Sequence, residues 1–153
     1  MLIYVVEDDP LKAESVSSFL QSLSSNISVK IFRSYISGLS AVRTNKPDLL
    51  VVDMALPNYD RSPGARTGKP RPLGGYDLLR KVRLHGMSVP AIVVTMLESF
   101  GEGDLETSYE DMTLMCESEF GGLFLGSVYF QMGSSGWQAE LKRVIAKFQS
   151  DIK

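Results

Sequence analysis

The stretch Leu2-Ile3-Tyr4-Val5-Val6-Glu7-Asp8-Asp9-Pro10 decides the fold: five apolar residues running into three acids and a proline. A short continuous apolar run bounded by polar residues is what a parallel strand buried on both faces looks like. A second run, Leu49-Leu50-Val51-Val52, ends in Asp53. In open parallel α/β sheets, functional groups gather at the carboxyl ends of the strands. With these two strands as neighbours, three or four carboxylates converge in one crevice with no basic residue beside them in sequence. Crowded carboxylates raise one another's pKa unless something neutralises them. A hard divalent cation with oxygen ligands, Mg²⁺ above all, is the simplest neutraliser.

Outward from these strands, helices and strands alternate. Asp9-Pro10 reads as an N-cap followed by proline at the first helical position. The helix it opens is expected to bury a face of Leu11, Val16, Phe19, Leu20 and Leu23. Val29-Lys30-Ile31-Phe32 is a second strand, and Ser34 caps a helix carrying Ile36, Leu39 and Val42. A helix with Leu78, Leu79 and Val82 follows Gly74-Gly75 and closes at Gly86. Val89 to Val94 is a fourth strand reaching Thr95, a helix is expected around Ser108 to Glu117, and Leu123 to Phe130 is the fifth strand. Ser135 and Gln138 form a capping-box pattern ahead of a last helix with Leu141, Val144, Ile145 and Phe148. Five βα units in a row predict a doubly wound, five-stranded parallel sheet with helices on both faces.

Composition narrows the class. At 153 residues, 44% hydrophobic and 22% charged, the chain suits one compact domain. It has no apolar run long enough to span a bilayer and no basic-plus-apolar leader, so the expectation is a soluble, cytoplasmic protein with no membrane partner. Cys116, the one cysteine, rules out an internal disulfide and a Cys-based zinc site. The single histidine, His85, stands beside Gly86 and reads as a helix-end residue.

The segments I-Y-V-V-E-D-D-P, P-D-L-L-V-V-D-M-A-L-P, G-G-Y-D-L-L-R-K-V-R and V-P-A-I-V-V-T, in this order and spacing, resemble the receiver domain of two-component response regulators. The resemblance covers nearly the whole chain, a single domain over 1–153 with flavodoxin-like architecture. It implies that Asp53 is the phosphoacceptor, that Glu7 and Asp8 hold Mg²⁺ together with Asp53, and that Ala55 offers the metal its backbone carbonyl. Thr95 matches the switch hydroxyl and Tyr129 the switch aromatic. A histidine kinase or histidine phosphotransfer protein is the implied donor. With no output domain after Lys153, a separate effector protein is the implied target, and homodimer formation is left open. Such a domain is a regulatory phosphoacceptor and no enzyme beyond its own phosphorylation and dephosphorylation.

Three departures stand against the family pattern. Family members carry a lysine just after the fifth strand, but no Lys or Arg occurs between Arg83 and Lys142. Counting from Tyr129, Met132 takes the lysine position and Gly133 the usual proline. Losing a fixed cation beside a dianion is expected to weaken phosphorylation and signalling. Next, an insertion at about 58–73 contains Pro63, Pro70 and Pro72, which excludes helix and inner strand. It carries Arg61, Arg66, Lys69 and Arg71 against Asp60, so Arg61 or Arg66 is a candidate replacement for the lysine and the loop a candidate docking surface. Last, an enlarged segment at about 98–121 holds Glu98, Glu102, Asp104, Glu106, Glu110, Asp111, Glu117 and Glu119, and attraction between it and the basic loop is one expectation.

Other classes fail on chemistry. Nucleotide-binding folds need glycines after the first strand, where Glu7-Asp8-Asp9 would repel phosphates. A haloacid-dehalogenase-type phosphatase wants an acid where Ala55 stands. Four loop cations without aromatic interleaving or a basic balance make a poor nucleic-acid footprint. Two readings remain: a phosphorylatable receiver acting by protein contact, and a pseudo-receiver that binds partners independently of phosphorylation.

Overall fold

A computed structural model describes residues 1–60 and 71–152, with side chains as far as 149. Five strands form the sheet: β1 (Leu2–Val6), β2 (Ser28–Phe32), β3 (Leu49–Val52), β4 (Ala91–Thr95) and β7 (Phe124–Tyr129). Their order is β2-β1-β3-β4-β7 and every pairing is parallel. A separate antiparallel pair, β5 (Ser99–Phe100) with β6 (Thr107–Ser108), lies between β4 and β7 in the chain. The helices are α1 (Pro10–Ser22), α2 (Tyr35–Thr44), α3 (Gly74–Leu84), α4 (Tyr109–Phe120) and α5 (Gly136–Ile152). No helix among the described residues is long and apolar enough to cross a membrane.

The continuous apolar strands bury both faces, because strand side chains alternate. Ile3, Val5, Leu49, Val51, Ile92 and Val94 point into one core with Val16 and Leu20 of α1 and Trp137, Leu141 and Ile145 of α5. Tyr4, Val6, Leu50, Val52 and Val93 point into the other, against α2, α3 and α4. The caps anticipated at Asp9 and Ser34 form, and Ser108 adds a third. Asp9 accepts from the amides of Leu11 and Lys12, Ser34 closes a capping box with Ser37, and Ser108 accepts from Asp111; each such cap stabilises its helix by about 1 kcal/mol. His85 is the C-cap of α3, followed by Gly86 at φ +78°.

The face of α1 needs correction. Leu11 is 68% exposed, and the buried stripe is Lys12, Ala13, Val16, Ser17 and Leu20. Val16 and Leu20 are buried and Phe19 and Leu23 pack against the same core as expected, so Leu11 alone of the five falls off the stripe, and Lys12 is the residue found inside. The segment after β4 also carries structure that periodicity did not announce: the β5–β6 pair tucks Phe100 into the core, leaving it 2% exposed.

The insertion leaves and rejoins the fold at one point. Leu56 and Arg71 exchange two backbone hydrogen bonds, Leu56 N to Arg71 O at 3.2 Å and Arg71 N to Leu56 O at 2.7 Å. Its first limb lies along the start of α2, where the amides of Tyr35 and Ile36 donate to the carbonyls of Pro57 and Asn58. Asp60 accepts from the Ser34 hydroxyl at 2.6 Å. Arg71 pairs with Asp77 at 2.8 Å and lies over the Tyr35 ring, 4.6 Å from its centroid.

Candidate functional site

Strand order reverses between β1 and β3, since β2 lies beyond β1 on one side and β4 beyond β3 on the other. Ligands of doubly wound sheets bind outside the carboxyl ends of the strands at such a point. Val6 pairs with Val52, and Asp53 N donates to Val6 O at 3.0 Å, so Glu7 and Asp53 emerge side by side. The start of α3 closes on the same turn. A Cβ placed on Gly75 would stand 2.3 Å from Asp53 O, a distance no side chain tolerates.

Between the two acids lies Lys12. Its side chain is 2% exposed, and its ammonium forms an ion pair with Glu7 Oε1, approaches Asp53 Oδ1 at 3.3 Å and donates to Val94 O at 2.7 Å. The Phe130 ring, just beyond β7, is 5.9 Å away. Burying a lysine is costly unless it is paired and hydrogen-bonded, and these partners meet that demand. The sequence offered no lysine after the fifth strand, but α1 brings a cation to the acids.

Glu7 is 4% exposed, and its Oε2 accepts from Asp9 N at 3.0 Å. Among the described residues its other oxygen has no hydrogen bond of regular geometry and is held in the ion pair with Lys12. Burial, then the charge of Asp53, pushes the Glu7 carboxyl up from 4.5 to about 7, against the opposing pull of Lys12. Burial likewise raises Asp53, while Lys12, the Met54 amide and the Thr95 hydroxyl pull it back. Met54 N donates to Asp53 Oδ1 at 2.8 Å. Asp8 is half-buried beside this pair. Asp9 is the cap of α1.

Thr95 is fully buried at the end of β4, in register with Tyr129 of β7. Its hydroxyl accepts from Leu97 N at 3.2 Å. The Tyr129 ring meets that of Tyr109, the first residue of α4, edge to face at 6.1 Å. Ala55 lies farther along the loop, on the wall of an open cleft of about 940 Å³ shared with Arg71, Leu73, Leu97, Phe100 and Leu105. Met132 is 53% exposed and lines a different groove, with Ser15, Phe19 and Trp137. Arg61 and Arg66 lie outside the described residues. Within them, Glu119 of the acidic segment pairs with Arg80 and Arg83 of α3, and Arg71 pairs with Asp77 of α3. Cys116 lies on the buried face of α4, and burial, then the charge of Glu117, pushes its thiol up to about 12.

Residues 3–103 match the model of the response regulator receiver domain. The chain belongs to this family. Receiver domains are regulatory modules of two-component signalling, and they generally bind Mg²⁺ at the phosphorylation site. An uncharacterized protein, y4jR, of Sinorhizobium fredii is 26% identical over 144 residues, covering 93% of this chain and 95% of its own. The Detocs response regulatory protein DtcB of Enterobacter cloacae is 25% identical, with 96% of this chain and 99% of the relative covered. Among solved structures, the receiver domain of Francisella response regulator 1452 superposes with a TM-score of 0.64 at 17% identity, covering 98% of each chain. The non-phosphorylated HemR receiver domain of Leptospira biflexa reaches 0.62 at 19% identity, covering 94% of this chain and 93% of that one. These two show the shared fold.

Sequence reading placed Glu7, Asp8, Asp53 and Thr95 at the sheet's carboxyl edge but missed Lys12. A signal was present. Lys12 precedes Val16 by four residues and Leu20 by eight, which puts it on the apolar stripe of α1.

Proposed function

We propose that this receiver domain accepts a phosphoryl group on Asp53 from a phosphohistidine of a histidine kinase or phosphotransfer protein, with Mg²⁺ present, and acts on a separate effector by protein contact. The observation that carries this reading is the adjacency of Glu7 and Asp53 at the point where strand order reverses, with Thr95 buried alongside. A carboxylate oxygen of Asp53 forms the new P–O bond as the P–N bond to the donor imidazole breaks, and the imidazole takes up a proton. The Lys12 and Met54 contacts both fall on Oδ1 and hold the carboxylate by one oxygen. The turn clamped by Gly75 keeps its backbone fixed.

The donor set suits a hard cation. Glu7, Asp8 and Asp53 offer carboxylate oxygens and Ala55 a carbonyl. Glu7 Oε1 is a buried oxygen that, among the described residues, is paired with the Lys12 ammonium and has no hydrogen bond of regular geometry. Among the described residues no three acids, histidines or cysteines are gathered into a cage, but Mg²⁺ keeps several waters and needs only one or two carboxylates. When bound, it would neutralise charge on the phosphoryl oxygens. Thr95 and Tyr129 would then carry the change toward α4 through the Tyr109 contact. The pseudo-receiver alternative rested on the missing lysine after the fifth strand, and Lys12 supplies an ammonium beside both acids from another segment.

Incubation with acetyl phosphate and Mg²⁺ should add one phosphoryl group, measured by intact mass, and Asp53→Asn should abolish it. Labelling that persists in Asp53→Asn would overturn the assignment.

A further inference from the structure

We propose that Lys12 of α1 performs the phosphoryl-pairing task that the family assigns to a lysine after the last sheet strand. The inference rests on the phosphoacceptor reading of Asp53 and adds the residue that neutralises the transferred group.

Its grounds are spatial. No Lys or Arg occurs between Arg83 and Lys142, so the β7–α5 connection cannot furnish a cation. Met132, which holds that sequence position, is half-exposed in a groove between α1 and α5. Lys12 nevertheless brings its ammonium against Val94 of β4 and near Phe130, on the β4–β7 side of the pocket. Its stem is buried, so few rotamers are open to it, and the Val94 carbonyl fixes one of its three donors. The remaining donors face Glu7 and Asp53. A phosphoryl group on Asp53 would bring new anionic oxygens to an ammonium already 3.3 Å from that carboxylate.

Lys12 would keep its proton and exchange Glu7 for phosphoryl oxygen. The exchange frees Glu7 Oε1 for a divalent cation, so ammonium and metal compete for Glu7 before transfer and cooperate after it. This gives two effects of opposite sign. Removing the ammonium should ease Mg²⁺ binding and impair phosphoryl uptake. A merely structural lysine would impair both.

The test uses the full chain as wild type, Lys12→Met, Met132→Lys and the exchanged pair Lys12→Met/Met132→Lys. Labelling by acetyl phosphate is followed by intact mass, Mg²⁺ affinity by titration without donor, and folding by circular dichroism. Lys12→Met should lose labelling rate by about tenfold to a hundredfold, the scale of deleting one preorganised charge. It should bind Mg²⁺ several-fold more tightly, and the exchanged pair should regain labelling. A measurement on wild type removes dependence on the variants' folding: with ¹³C-labelled lysine, adding beryllofluoride and Mg²⁺ should shift the Lys12 Cε resonance. An unmoved resonance in a protein that binds beryllofluoride overturns the proposal, as does equal labelling in a folded Lys12→Met. A wild type that takes up neither acetyl phosphate label nor beryllofluoride overturns the phosphoacceptor reading itself.

Discussion

Two connections enter the pocket from the carboxyl edge of the sheet, β1–α1 and β7–α5, and they differ in what they bring. The first delivers a lysine that is 2% exposed and paired to both acids, whereas the second offers a half-exposed methionine in a groove away from them. A buried charge is neutralised by whatever ammonium ends within a few ångströms, whichever segment carries it. The pocket is therefore defined by the position of Nζ in space, and an inventory of sequence positions misjudges it.

The largest expected effect is on stability. Lys12→Ala leaves two buried carboxylates without their cation and should cost about 3 kcal/mol in metal-free buffer, the low end for a broken buried pair because Glu7 can take up a proton instead. Urea unfolding measures it. A loss below about 1 kcal/mol would mean that α1 and β7–α5 are energetically alike.

Acidity sharpens the contrast next. Burial and Asp53 raise Glu7 from 4.5 to about 7, so between those values the folded protein binds more protons than the unfolded chain. Stability is then fullest below the unfolded value and falls as pH rises toward the folded one, by at most about 3 kcal/mol and by less where the Lys12 pair moves with it. Melting temperature against pH without Mg²⁺ should show this fall, and Glu7→Gln should flatten it. A curve that rises over the same range would contradict the assigned cause.

A smaller effect concerns how α1 is held. Asp9 accepts from the amides of Leu11 and Lys12, so Asp9→Ala should cost about 1 kcal/mol and loosen the lysine's anchor. Amide exchange at Lys12 should quicken with it. Smallest of all, Met132→Ala should stay within about 0.5 kcal/mol of wild type by urea unfolding, as expected of a partly exposed side chain without polar partners.

Much of this was legible in the chain. Leu2 to Val6 and Leu49 to Val52 lack alternation because both faces of the sheet are covered. Asp9 and Ser34 announced helix starts through their side-chain oxygens. On α1 the burial of Lys12 was missed because a lysine counts as a surface residue unless its partners are known. Those partners, Glu7 on the strand before it and Asp53 far along the chain, meet only once β1 lies beside β3. The β5–β6 pair was illegible for another reason: strands of two residues have no period to detect, and Phe100 is held by tertiary burial. Arg71 belonged to a basic run by composition, yet its partners are Asp77 and Tyr35, a choice set by the bridge to Leu56.

That bridge has an evolutionary corollary. Because Leu56 and Arg71 meet backbone to backbone, the chain's exit and return are stitched together at the base of the loop, and Met54 and Leu56 on the pocket side are fully buried. Lengthening a loop already closed at its base adds little entropic cost, about 0.6 kcal/mol for each doubling. Length changes beyond the contacts that Pro57, Asn58 and Asp60 make with α2 would thus leave the turn that holds Asp53 in place.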